Sequence, residues 1–149
     1  DLTIDGAAEL NSRLSALESI YYFSIPADAS KPRKSADKRV ADMKISMPVL
    51  WPTITYMGGM TGTTDAGRVI DNTWFKNDGV VNTYSAIAPE DEPQQRFDPQ
   101  DIKPGVWNIM DTYIGDHASI VGAVALKNTV YSIYTEQMAL VSSLPDVER

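Results

Sequence analysis

With 149 residues, 43% of them hydrophobic, the chain is long enough to bury the core of one domain. Thirteen basic residues against 20 acidic ones give a net charge of −7, which disfavours nucleic acid and anionic membranes as principal partners. No cysteine is present, so disulfides and thiolate metal sites are excluded, and no apolar run reaches membrane-spanning length.

Residues 1 to 17 read as a helix. Thr3 or Asp5 can cap it, and Ala7, Leu10, Leu14 and Leu17 share one face at spacings of three and four. The run Ile20-Tyr-Tyr-Phe-Ser-Ile25 is rich in β-branched and aromatic residues and stops at Pro26, so a strand is predicted near 19–25. Apolar on both faces, it suits an inner strand of a parallel sheet. A helix feeding directly into such a strand is the α/β pattern.

Between Ala27 and Val69 the periodicity is lost. Lys31, Arg33, Lys34, Lys38, Arg39 and Lys44 alternate with Asp28, Asp37 and Asp42, and the plain expectation is a solvated loop. A sharper reading is a surface that meets an anionic lipid interface. Pro48 and Pro52 interrupt the apolar stretch 47–57 and argue against a long helix, while Trp51 favours packing over disorder.

Asn77-Asp78-Gly79 places a small acid in a tight turn, followed by a run (80–85) too short to choose between helix and extended chain. Residues 88–103 form an acidic, proline-punctuated loop. The segment 105–113 alternates, with Val106, Asn108, Met110 and Thr112 on one face and Trp107, Ile109 and Asp111 on the other, and reads as a strand. Gly115-Asp-His117 then falls in a loop at that strand's carboxyl end, the edge where open α/β sheets assemble their sites. A final helix carries an apolar stripe of Leu126, Val130, Ile133, Tyr134, Met138 and Val141 and ends before Pro145. No repeat or low-complexity segment divides residues 1–149, which read as a single domain.

His117 is the only histidine, hence the one side chain with an ordinary pKa near neutrality. A hydrolytic serine needs such a base to take its proton. The imidazole in turn needs an acid to fix its tautomer and stabilise the imidazolium. Asp78 and His117 are therefore the candidate acid and base. A lone loop histidine or an Asn-Asp-Gly turn would by itself be structural more often than catalytic. A serine in a G-x-S-x-G elbow, the third member of such a set, occurs nowhere in the sequence.

Five segments occur in a telling order: residues 1–11, Tyr21-Tyr-Phe-Ser24, Trp74-Phe-Lys-Asn-Asp-Gly-Val-Val-Asn-Thr83, Gly105-Val-Trp107 and Asp116-His117. Their order and spacing resemble the C-terminal part of the secreted bacterial lipases of the staphylococcal and thermophilic bacillus group. The resemblance implies the C-terminal part of an α/β-hydrolase, with a short, mostly parallel sheet, flanking helices and a long irregular excursion over 27–69. It matches Asp78 to the family's catalytic acid and His117 to its catalytic base, with the nucleophilic serine lying upstream. It implies secretion, a lipid ester as substrate, and a parent lipase or carboxylesterase in which this chain alone is inactive. The family's structural calcium uses acids where this chain has Ser119 and Val124, so no calcium is expected there. Its zinc ligands also lie upstream, so no metal or other cofactor is expected.

The missing serine motivates a different reading, a non-catalytic lipase-like remnant or binding module on the same half-fold. Under either reading the sheet should hold two or three parallel strands and leave an edge open to the missing N-terminal half or to a second copy. Starting without a methionine, the chain looks like a processed or excised piece.

Overall fold

The computed structural model describes residues 3–34, 37–123 and 127–147. Helix α1 (Ile4–Asn11) opens the chain, capped by Thr3, whose hydroxyl accepts from the Gly6 amide at 3.0 Å. It is shorter than the 1–17 expected. Asn11 and Ser12 are weak helix formers, and the Ser12 hydroxyl turns back onto the Glu9 carbonyl at 2.8 Å. Asp5 does not cap the helix. It accepts from the Thr64 hydroxyl at 2.6 Å and the Ala66 amide at 3.0 Å, tying the helix to a distant loop.

Strands β1 (Tyr22–Ser24) and β2 (Ala27–Asp28) are one run of chain interrupted at Pro26, which has no N–H to give to a ladder. A hairpin of β3 (Ser30–Pro32) and β4 (Arg39–Ala41) follows, then a 3₁₀ turn (Pro48–Leu50) leading into helix α2 (Trp51–Met57). A small hairpin comes next, β5 (Gly62–Thr63) with β6 (Val69–Ile70), and a 3₁₀ turn at Asn72–Trp74. Strands β7 (Gln94–Arg96), β8 (Trp107–Ile109) and β9 (Tyr113–Ile114) lead to helices α3 (His117–Ile120) and α4 (Lys127–Ser143).

Three of these strands form a wholly parallel sheet in the order β1-β8-β7, with Tyr22 opposite Trp107 and Gln94 on its other side. Parallel β2 and β9 continue the β1–β8 pair beyond an interruption. Three residues carry Ser24 to Ala27 while four carry Ile109 to Tyr113, so the extra residue sits in the 110–112 connection. The chains stay in contact across it, through Met110 N–H to Ser24 C=O (2.9 Å) and Tyr113 N–H to Pro26 C=O (2.8 Å). The parallel strands expected near 19–25 and 105–113 are thus present, each broken once. In the centre of the sheet, Asn108 is fully buried, and its amide donates to the carbonyls of Tyr22, Lys103 and Val106.

Several elements correct the sequence reading. The 27–69 segment is not a solvated, irregular loop. It carries the β3–β4 hairpin, α2 and the buried cluster Ala29, Ala41 and Ile54, on which Leu50 and Trp51 pack. Arg39 was hidden among its mixed charges, yet its guanidinium pairs with the buried Asp28 at 3.0 Å and donates to the Ser30 hydroxyl and carbonyl at 2.6 Å each. Both prolines stand at the starts of their helices, where a missing N–H costs nothing, and this keeps α2 to one short piece. β7 lies inside the acidic loop, spelled by Gln94-Gln-Arg96, residues with no strand signature. β1 is an edge strand among the described residues, not an inner one, with Tyr22 and Phe23 half-buried. In α4 the buried Val130 and half-buried Ile133, Gln137 and Leu140 form the packed face, whereas Tyr134, Met138 and Val141 of the predicted stripe are exposed. Leu126 lies outside the described residues.

Candidate functional site

Both candidate residues sit at the carboxyl end of the parallel strands. The turn 77–79 docks just past β2, with the Asn77 carbonyl accepting from the Ala29 amide at 2.9 Å and the Thr83 hydroxyl donating to Ala27 C=O at 2.7 Å. Asn77 is fully buried. Its amide donates to Ile54 C=O (3.1 Å) and Phe75 C=O (3.0 Å), and its side-chain oxygen accepts from Gly79 N–H (3.0 Å). Gly79 has φ of +97°, and a Cβ there would lie 3.0 Å from Ile54 Cγ1 and 3.1 Å from Leu50 Cβ. Only glycine meets both demands without strain.

This turn aims the Asp78 carboxylate. One oxygen accepts from the amides of Val80 (2.9 Å) and Val81 (2.7 Å), while the other reaches His117 Nδ1 at 2.8 Å. The backbones meet as well, through His117 N–H to Asp78 C=O at 3.0 Å. The two residues are 39 apart in sequence, and two hydrogen bonds join them.

On the histidine side, Asp116 caps α3 and is 1% exposed. One of its oxygens accepts from the Ser119 amide (2.8 Å) and hydroxyl (2.7 Å), the other from the Met47 amide (2.5 Å). Asp116 is therefore fully engaged in placing α3 and the chain before α2, and Asp78 is the acid left for the imidazole. The sequence reading did not assign Asp116 this role, although an Asp just before a short helix is an N-cap signal. Beside it, Gly115 lets the Tyr113 ring lie where a Cβ would come within 2.4 Å of Cε1.

The Asp78 side chain is 7% exposed and that of His117 38%. A carboxylate facing Nδ1 holds the proton on that nitrogen in the neutral ring, leaving Nε2 as an acceptor. Among the described residues Nε2 makes no hydrogen bond. Chemically, a buried carboxylate orients an imidazole whose other ring nitrogen is unengaged among the described residues, an arrangement suited to proton transfer.

The model of the lipase-like, C-terminal domain matches residues 1–138. This chain belongs to that family. Over 97% of its length the lipase-like domain superposes on EstA from Clostridium botulinum with a TM-score of 0.88 and 31% identity, covering 34% of that chain. The Staphylococcus hyicus lipase structure matches 96% of the domain at a TM-score of 0.75 and 26% identity, with 37% of its own chain covered. Lipase 1 of Staphylococcus aureus is 27% identical over 123 residues, 82% of this chain but 16% of that lipase. The domain thus spans well under half the length of each of these relatives.

At the position where the resemblance puts calcium, the lipase-like domain has Ser119, buried and donating its hydroxyl to Asp116. Val124 lies outside the described residues. No group of three His, Cys, Asp or Glu residues stands ready for a metal among the described residues. Likewise, no helix there is long and apolar enough to cross a membrane.

Proposed function

We propose that this chain is the C-terminal part of an α/β-hydrolase, supplying the acid and base of a Ser-His-Asp triad to a secreted lipase or carboxylesterase that cleaves lipid esters. The observation that carries the proposal is the 2.8 Å contact between a buried Asp78 carboxylate and His117 Nδ1, with Nε2 unengaged among the described residues. In this mechanism a serine from outside the chain approaches Nε2, which takes its proton as the hydroxyl attacks the ester carbonyl. Asp78 stabilises the imidazolium, and Nε2 returns the proton to the departing alcohol. Nucleophile and oxyanion donors come from the other part of the protein, so the chain alone is inactive.

β1 is the strand at which that part would add to the sheet, and an open edge also permits a second copy of the chain to pair there. Calcium has no role at the histidine loop, because a neutral Ser119 hydroxyl already committed to Asp116 is a poor donor for a hard dication. The hydrogen bond from the Met47 amide to Asp116 ties the histidine loop to the chain before α2.

Hydrolysis of a p-nitrophenyl acyl ester tests the proposal. The nucleophile-bearing part and this chain should each be inactive alone and active when joined, and His117→Ala should abolish the joint activity. Activity that survives His117→Ala would refute it.

A further inference from the structure

Charge is distributed very unevenly over this acidic chain. Six of its 13 basic residues fall between Lys31 and Lys44, where the only acids are Asp37 and Asp42. Two of the six are neutralised, Lys31 by Asp42 at 3.3 Å and Arg39 by Asp28 at 3.0 Å. Arg33 and Lys38 are exposed and make no ion pair among the described residues. They face each other where the β3–β4 hairpin narrows, joined by Arg33 N–H to Lys38 C=O at 2.8 Å. Like charges held directly opposite one another are destabilising, and an anion placed between them relieves that repulsion.

The hairpin lies flush on the end of α2. A Cβ on Gly58 would come within 2.5 Å of Arg39 O, and one on Gly59 within 2.9 Å of Lys38 Cδ. Between the two elements is a cavity of about 390 Å³ lined by Arg33, Lys38, Arg39, Thr55, Tyr56 and Met60 among others. Tyr56 is 65% exposed and Met60 47%, so cationic and large apolar groups share one rim. A basic rim with an amphipathic ring and a flexible thioether matches an interface of anionic head groups over acyl chains.

We propose that the β3–β4 hairpin and the end of α2 form a docking surface for an anionic lipid interface, with Arg33 and Lys38 meeting the head groups and Tyr56 and Met60 entering the acyl boundary. The net charge of −7 would repel such a surface over most of the chain, so contact is confined to this reversed patch and orients the molecule. Through Ile54, whose carbonyl holds Asn77, the same helix supports the turn carrying Asp78. Docking requires no ester hydrolysis and stands independently of the Asp78–His117 assignment.

Vesicle co-sedimentation of the full chain tests this, comparing zwitterionic phosphatidylcholine with the same lipid containing phosphatidylglycerol. Binding should require the anionic lipid and weaken with salt. Arg33→Gln with Lys38→Gln should lower partitioning about 25-fold, at roughly fivefold per charge removed. Arg96→Gln, at another exposed cation, should leave it unchanged. Tyr56→Ser with Met60→Ser should weaken binding without altering its salt dependence. Equal binding to both vesicle types, or a double glutamine variant that binds like the wild type, would overturn the proposal and trace any adhesion to apolar surface elsewhere. Circular dichroism establishes that the variants are folded.

Discussion

Gly79→Ala probes the physical basis of the site without touching either candidate residue. At φ of +97° an alanine incurs a left-handed strain of about 1–2 kcal/mol. Its methyl would also lie 3.0 Å from Ile54 Cγ1 and 3.1 Å from Leu50 Cβ, in a fully packed place. Overpacking of that kind costs about 1–3 kcal/mol. Loss of unfolded-chain entropy returns about 0.4–1 kcal/mol, so the net destabilisation is about 1–5 kcal/mol. Gly67→Ala is the internal control, since Gly67 has φ of +85° with no atom within 4 Å of its Cβ position. The two variants share the strain and differ in the crowding. Urea unfolding followed by fluorescence of the three tryptophans should place Gly79→Ala about 1–3 kcal/mol below Gly67→Ala. Equal stabilities would refute the close packing of the 77–79 turn on α2.

Other expectations follow from single contacts. Removing Arg39 as Arg39→Met leaves the buried Asp28 carboxylate without its cation, and thermal or urea unfolding should show a loss of about 3 kcal/mol. The carboxyls of Asp5 and Glu90 are both held below their usual range, the first by the Thr64 hydroxyl and the second by the Arg68 guanidinium. Groups with depressed pKa values stabilise the fold above the ordinary carboxylate range and lose that contribution as pH falls through the folded-state value. Stability measured by denaturant titration should therefore decline below about pH 4, and Glu90→Gln should flatten part of that decline. Calcium titration should leave the melting temperature unmoved, whereas a concentration-dependent rise removed by changing Ser119 would show that other ligands bind the ion there.

The candidate pair was legible only through the family resemblance. Asn-Asp-Gly specifies a turn through the conformational freedom of Gly79, and neither that turn nor a lone histidine carries a catalytic role by itself. What joins them was not legible, since Asn77 to Ala29, Thr83 to Ala27 and Asp116 to Met47 are contacts between remote parts of the chain. The strand near 19–25 was visible in its aromatic and β-branched residues and the one near 105–113 in its alternation, but β7 was not, because pairing with β8 imposes its extended form on Gln94–Arg96. Charges misled at Arg39, where a buried partner supplied by another strand turned an exposed-looking residue into part of the packed structure. Periodicity misled at α4, since of its apolar stripe Val130 is buried and Ile133 half-buried while Tyr134, Met138 and Val141 face solvent.

Turnover of Asp78→Asn, measured as kcat for ester hydrolysis once this chain is joined to its nucleophile-bearing part, tests the acid–base assignment most directly. The amide can keep the turn but cannot hold the imidazole in the required tautomer or stabilise its cation. A loss of about 10⁴-fold in a variant that remains folded is expected. Turnover within about tenfold of the wild type, roughly 1.4 kcal/mol of barrier, would contradict the pairing of Asp78 with His117 as the acid and base of the reaction.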